Sequence, residues 1–139
     1  MVQKHFKEKS LLVSNEKLQR GPESAEVTVY ALLVATMSYD DTVAQAVRLI
    51  AGGMLPGDER EAYQCCIDSY ATARIEMAGV VTDLTSCDFA RTRWEYSYSV
   101  AAMATCGDGL KAGTPLGPLS AADRDLTMVA YDLGTLKIY

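Results

Sequence analysis

The sequence is poor in the residues from which many catalytic and metal sites are built. Of its 139 residues one is a histidine, His5, and four are cysteines, whose spacings fit neither a zinc site nor a CxxC redox motif. It has no glycine-rich phosphate loop and no nucleophile elbow. These absences argue against a hydrolase with a histidine base, and they imply neither a metal nor a cofactor. A mechanism that uses carboxylates alone stays open at this point.

Long apolar runs are missing as well. No stretch approaches the roughly 18 consecutive apolar residues of a membrane span. The N-terminal region is basic but lacks the apolar segment of about 7–15 residues that a secretion signal needs. The formal net charge of −5 disfavours nucleic-acid binding, which requires basic groups facing phosphates. We therefore expect neither a nucleic-acid partner nor a membrane partner.

What the sequence does contain is helical periodicity in four segments. Strand-like alternation is weak, whereas apolar residues recur at steps of three and four over residues 24–53, 59–84, 87–109 and from Ser120 onward. Four amphipathic helices joined by short turns predict an all-α, antiparallel, up-down-up-down four-helix bundle over residues 21–139. Residues 1–20 fit none of these patterns, and they are predicted to form a basic arm that is loose or holds a short helix.

The last three predicted helices each have a candidate N-terminal cap. Asp58 is the expected cap of the second helix, Thr85 or Ser86 of the third, and Ser120 of the fourth. Asp123 would then lie in the first turn of the last helix, where a negative charge favours the helix dipole. The apolar seam predicted for that helix contains Ala122, Leu126, Val129, Leu133 and Leu136.

The turn near residue 86 selects one pair of cysteines. Cys66 lies 20 residues before this turn and Cys106 lies 20 residues after it, so the two are level in an antiparallel hairpin. Cys65 and Cys87 are separated by about 33 Å of helix rise, so they cannot bridge within one bundle. A Cys66–Cys106 disulfide is therefore geometrically natural. The alternative, that all four cysteines are free thiols, stays open on spacing alone.

Several segments resemble the plant invertase and pectin methylesterase inhibitor family. The resemblance covers roughly residues 14–139 and depends on the order and spacing of short motifs. These motifs are Cys66-x-x-x-Tyr70-x-x-Ala73, Asp88-Phe89-Ala90, Ser99-Val100-Ala101-Ala102, Thr105-Cys106-Gly107-Asp108-Gly109, and Pro118-Leu119 before the final helix.

The resemblance implies a fold, a function and a place of action. The family's members are secreted, non-enzymatic inhibitors in which a small N-terminal helical hairpin precedes a four-helix bundle. They bind pectin methylesterases or acid invertases one-to-one, in the cell wall (apoplast) or, for some invertases, the vacuole. The resemblance also favours the Cys66–Cys106 disulfide, because these residues occupy the positions of a family pair. Cys65 and Cys87 are then expected to be free thiols.

The N-terminal part departs from the family. Ser14 stands where the hairpin's second cysteine is expected, and residues 1–12 look unrelated to the family. We expect the hairpin to be truncated or missing, and no secretion signal is visible to support the extracellular location that the family implies. These departures also allow a hypothesis of another class, in which the chain is an inactive helical interaction or structural protein.

The turn before the third helix bears on the choice of target. Some invertase inhibitors have Pro-Lys-Phe there, whereas this chain has Cys87-Asp88-Phe89. The Asp-aromatic pair is closer to the Asp-Tyr of pectin methylesterase inhibitors. Pectin methylesterase is therefore the first expectation, with acid invertase as the alternative.

One stripe on the third helix has the composition of a protein interface. Arg91, Trp94 and Tyr98 are spaced by three and four residues and lie away from the helix's apolar seam. Trp, Tyr and Arg are enriched among residues that dominate binding energy at interfaces. The hypothesis is that this stripe contacts the target enzyme. The alternative is that it packs against the N-terminal arm or another helix of the bundle.

Overall fold

A computed structural model of the chain describes residues 21–135, with side chains from residue 26 onward. This part of the chain contains no strand and four helices: α1 Gly21–Ala51, α2 Gly57–Ser86, α3 Thr92–Gly109 and α4 Leu116–Thr135. Both α1 and α3 pack mainly against α2 and α4, and with short connections this gives an antiparallel bundle. The predicted all-α four-helix bundle is confirmed. The predicted arm and Leu136 lie outside the described residues.

The third helix begins later than predicted because α2 ends in a left-handed cap. Cys87, the C-cap residue, has φ of 55°, and its amide donates to the carbonyl of Asp83. The amide of Asp88 donates to the same carbonyl at 3.1 Å. Such a cap closes a helix and turns the chain away from its axis. Residues 87–91 therefore form a turn, and α3 starts at Thr92 instead of residue 87.

None of the predicted side-chain caps forms. α2 starts at Gly57 after Pro56 without a capping hydrogen bond, and Asp58 instead forms an exposed ion pair with Lys111. Thr85 and Ser86 lie in the last turn of α2, where their hydroxyls donate to the carbonyl of Thr82, one turn back along the same helix. These short polar residues satisfy local carbonyls, a common alternative to capping.

The last helix starts four residues earlier than predicted and buries a different face. It begins at Leu116, and Pro118 is tolerated because first-turn amides need no helical partner. Of the predicted seam, Leu133 is buried and Ala122 is exposed, while Leu126 and Val129 are half-buried. The fully buried positions are instead Leu116, Ser120, Asp123, Thr127 and Ala130.

A deeply buried polar group, the carboxylate of Asp123, lies among α1, α2 and α4, although the sequence predicted it in the first turn of the last helix. It is 0% exposed and accepts hydrogen bonds from Thr42 Oγ1 at 2.6 Å, from the Tyr70 hydroxyl at 2.5 Å and from the Ser38 hydroxyl. Burial, followed by the negative charge of Asp123, raises the pKa of Tyr70, so this hydroxyl stays a donor. The three donors tie α1 and α2 to α4.

The centre of the bundle is filled by tyrosines and aliphatic side chains. Tyr39 and Tyr70 meet edge to face, with ring centroids 5.5 Å apart and planes at 82°, a favourable aromatic geometry. Tyr96 packs on α4 at Gly134, where an added Cβ would lie 2.2 Å from the Tyr96 hydroxyl oxygen. The other large, fully buried side chains are those of Leu32, Tyr63, Met77, Val80, Met103 and Leu116.

Candidate functional site

A disulfide joins the two helices that present the candidate surface. Cys66 of α2 and Cys106 of α3 are bonded, with their Cα atoms 4.5 Å apart, and both are buried. The bridge predicted from equal distances to the α2–α3 turn is therefore present. It holds the ends of α2 and α3 that lie far from that turn.

The other two cysteines are free and exposed. Around the axis of α2, Cys65 points in a different direction from its neighbour Cys66. Cys87 is the left-handed cap residue at the C-terminal end of the same helix. Their separation along α2 agrees with the prediction that they cannot bridge within one bundle. A lone exposed thiol is not by itself a site, so we assign none to either cysteine.

The aromatic stripe consists of Arg91, Trp94 and Tyr98, and it lies on the outer side of α3. Trp94 is 62% exposed and Tyr98 48% exposed, with ring centroids 6.0 Å apart. Arg91 is the exposed N-cap residue of α3. No other helix of the described part covers the two rings. The alternative in which another bundle helix buries them is therefore wrong, while the alternative involving the arm concerns residues outside the described part.

A shallow groove between α2 and α3 continues the surface from Tyr98 toward the disulfide. Its lining from α3 includes Ala101 and Thr105, and its lining from α2 includes Ser69, Thr72 and Glu76. Most of these side chains are small, so a partner's backbone could approach both helices closely. The aromatic stripe and this groove together form one continuous face, with the rings of Trp94 and Tyr98 at one end.

Metal-ligand clusters and membrane-spanning helices are both absent from the described residues. Within residues 26–135, no three His, Cys, Asp or Glu side chains come together in a way that could hold a metal ion. None of the described helices combines the length and apolar character needed to cross a membrane. The acidic pair Asp40 and Asp41 is exposed, and Asp40 forms an ion pair with Arg74 at 3.2 Å.

Comparison with known proteins identifies the fold. The sequence matches no protein-family model, and no curated protein is significantly similar to it. Among solved structures, a pectin methylesterase inhibitor from Arabidopsis thaliana superposes with a TM-score of 0.73 at 18% identity, covering 91% of this chain and 83% of that one. The chain has the fold of the pectin methylesterase inhibitors. A mutant form of such an inhibitor from Arabidopsis also gives a TM-score of 0.73, at 19% identity over 81% and 77% of the two chains.

The pectin methylesterase inhibitor fold agrees with the family that the sequence motifs resemble. Both solved neighbours are pectin methylesterase inhibitors. With identities of 18–19%, the likeness is one of fold.

Proposed function

We propose that this protein is a non-enzymatic inhibitor that binds a pectin methylesterase one-to-one and covers the enzyme's active-site cleft with one face of the bundle. The observation that carries this proposal is the exposed aromatic stripe on a fold shared with two solved structures of pectin methylesterase inhibitors. The mechanism is steric, because a rigid surface placed over a cleft excludes substrate without any chemistry of its own.

The face that we assign to the target is the aromatic stripe with the adjoining groove. Two exposed aromatic rings can bury a large area at a small cost in conformational entropy, and Arg91 adds a donor for a carboxylate or carbonyl of the partner. The Cys66–Cys106 bridge and the buried contacts of α2 and α3 hold this face in shape before binding. A preorganised face loses less entropy when the complex forms.

Pectin methylesterase is favoured over acid invertase as the target. Both solved neighbours inhibit pectin methylesterase, and the turn Cys87-Asp88-Phe89 has the Asp-aromatic pair that resembles those inhibitors. In this turn Asp88 is exposed, and its carboxylate accepts a hydrogen bond from the amide of Ala90 at 3.2 Å. This local bond fixes the shape of the turn next to the aromatic stripe.

We also infer that the protein acts outside the cell, in the plant cell wall (apoplast). The support is the bridge between Cys66 and Cys106, because disulfides persist in oxidising compartments and are rare in the reducing cytosol. Folding of the chain in a reducing buffer, compared with folding in an oxidising one, measures how strongly the fold depends on such a compartment.

Truncation of the stripe is expected to weaken inhibition. Trp94→Ala and Tyr98→Ala should each raise the inhibition constant against a plant pectin methylesterase, by roughly 30-fold for an anchor contributing about 2 kcal/mol. The measurement is the rate of pectin de-esterification at increasing inhibitor concentrations. Circular dichroism and thermal unfolding show whether each variant keeps the fold, which we expect since both side chains are exposed.

Met37→Ala is the matched control for these variants. Met37 is a large apolar side chain that is 67% exposed, and it lies on α1, which packs mainly on α2 and α4 and is diagonal to α3. This variant should inhibit like the wild type. Folded Trp94→Ala and Tyr98→Ala proteins with unchanged potency would contradict the assigned face. A folded wild-type protein that inhibits neither pectin methylesterase nor acid invertase would contradict the inhibitor function and favour the inactive helical interaction protein.

A further inference from the structure

Glu95 is a carboxyl group buried where α2 and α3 meet. The residue is 7% exposed, and its Oε1 is buried with no hydrogen-bond partner among the described residues. The other oxygen lies against the backbone of α2 at Gly79, where an added Cβ would be only 1.9 Å from Oε2. Only glycine leaves room for this carboxyl group. An ionised carboxylate without a donor is costly in such a place.

The groups that face Glu95 are mostly acidic. Asp83 and Glu76 approach it from α2, and Arg91 at the start of α3 is the cation acting on it. Asp83 already accepts a hydrogen bond from Thr92 Oγ1 at 2.7 Å. Two carboxylates in contact repel each other unless one of them carries a proton.

The protonation state of Glu95 follows from this setting. Burial, the contact with Asp83 and the negative charges of Asp83 and Glu76 together raise the pKa of Glu95 to about 7, although Arg91 opposes the rise. At mildly acidic pH the side chain is therefore a neutral acid. In that form it can donate a hydrogen bond to the Asp83 carboxylate, which an ionised Glu95 cannot do.

We propose that Glu95 and Asp83 share one proton that fastens the first turn of α3 to the last turns of α2, and that loss of this proton loosens that end of the bundle. The device belongs to the fold and goes beyond the proposed inhibitor function, since it depends on no partner. Its location is informative, because Trp94 and Arg91 of the aromatic stripe belong to the same turn of chain as Glu95. The shape of that face therefore becomes sensitive to pH.

The sign of the effect on stability follows from proton linkage. An acid whose pKa is higher in the folded protein than in the unfolded chain binds its proton more tightly when folded. The stabilisation is thus complete below the ordinary pKa of 4.5 and is lost as the pH rises to about 7. We expect the folding equilibrium constant to fall by roughly 100-fold across this window because of this one group.

Glu95→Gln tests the proposal, because the amide has nearly the same shape, can still donate to Asp83, and does not titrate. The readouts are urea unfolding and the fluorescence of Trp94, the only tryptophan, at intervals from pH 4.5 to 8. The wild type should lose stability over this range and show a Trp94 transition centred near pH 7. Glu95→Gln should lack that transition and should be more stable than the wild type at pH 8.

Glu61→Gln is the matched control, since Glu61 is an exposed glutamate of α2 and its replacement should leave both pH profiles as in the wild type. A ¹³C NMR titration of the Glu95 carboxyl in the wild-type protein gives a test that needs no variant. A midpoint near 4.5 in that titration, or the same loss of stability with pH in Glu95→Gln as in the wild type, would overturn the proposal. A midpoint near 7 supports it.

Discussion

Replacing both Cys66 and Cys106 by alanine is expected to lower the free energy of unfolding by about 4 kcal/mol. The bridge closes a loop with a sequence separation of 40 residues, and the chain-entropy model assigns this value to a loop of that length. Alanine is the appropriate replacement because both sites are buried, where a serine hydroxyl would need a partner. Urea unfolding followed by circular dichroism measures the change.

The exposed thiols provide the control for this prediction. Cys65→Ser with Cys87→Ser should change the free energy of unfolding by less than about 0.5 kcal/mol, because both side chains are exposed and unbonded. Thiol titration of the wild type under denaturing conditions should detect two groups before reduction and four after it. A loss below about 1 kcal/mol in the Cys66/Cys106 double variant would contradict the stabilising role of the bridge.

The bridge was predictable because it depends on local periodicity and on one turn. The apolar spacing of α2 and α3 fixes two helices, and the short connection between them makes the pair antiparallel. Cys66 and Cys106 are then at the same height in the hairpin, independently of how α1 and α4 pack. The start of α3 was less predictable, since the left-handed conformation of Cys87 has no signature as clear as a glycine would give.

The buried face of α4 was predicted wrongly because the sequence pattern is ambiguous there. Ser120 followed by Asp123 looks like a capping box, and counting apolar residues alone assigns Ala122 to the core. The structure buries Ser120 and Asp123 instead, and the burial of Asp123 depends on hydroxyl donors from α1 and α2 that are far away in sequence. Single-helix periodicity contains no information about such distant partners.

The candidate surface was also only partly predictable from the sequence. The position of Trp94 and Tyr98 away from the apolar seam of α3 was predictable, but their exposure was not, because packing against the arm or another helix stayed open on the sequence alone. The role of Glu95 was not, because nothing in the local sequence distinguishes it from an exposed helical glutamate. Gly79 was the available signal: a glycine in the middle of a helix lowers helix propensity and often marks a close approach by a neighbouring group.

The Asp123 carboxylate is the polar group whose removal should cost the bundle most. In Asp123→Ala, the hydroxyls of Thr42, Tyr70 and Ser38 lose their acceptor, and at least two of these donors are deeply buried. Unsatisfied buried groups cost about 1–3 kcal/mol each, so we expect the free energy of unfolding to fall by about 4 kcal/mol. Urea unfolding at constant pH measures this change.

Graded variants separate the hydrogen-bond network from a general sensitivity of α4. Asp123→Asn keeps one acceptor oxygen and should lose less stability than Asp123→Ala, and Thr42→Val, which removes one donor, should lose about 1 kcal/mol. Asp125→Ala is the control, because Asp125 lies two residues further along α4 and is exposed. If Asp123→Ala were no more destabilising than Asp125→Ala, the network would not be what joins α1, α2 and α4. If the expected order holds, one carboxylate on α4 sets the packing of three helices, although its sequence position resembles that of an ordinary acidic residue in the first turn of a helix.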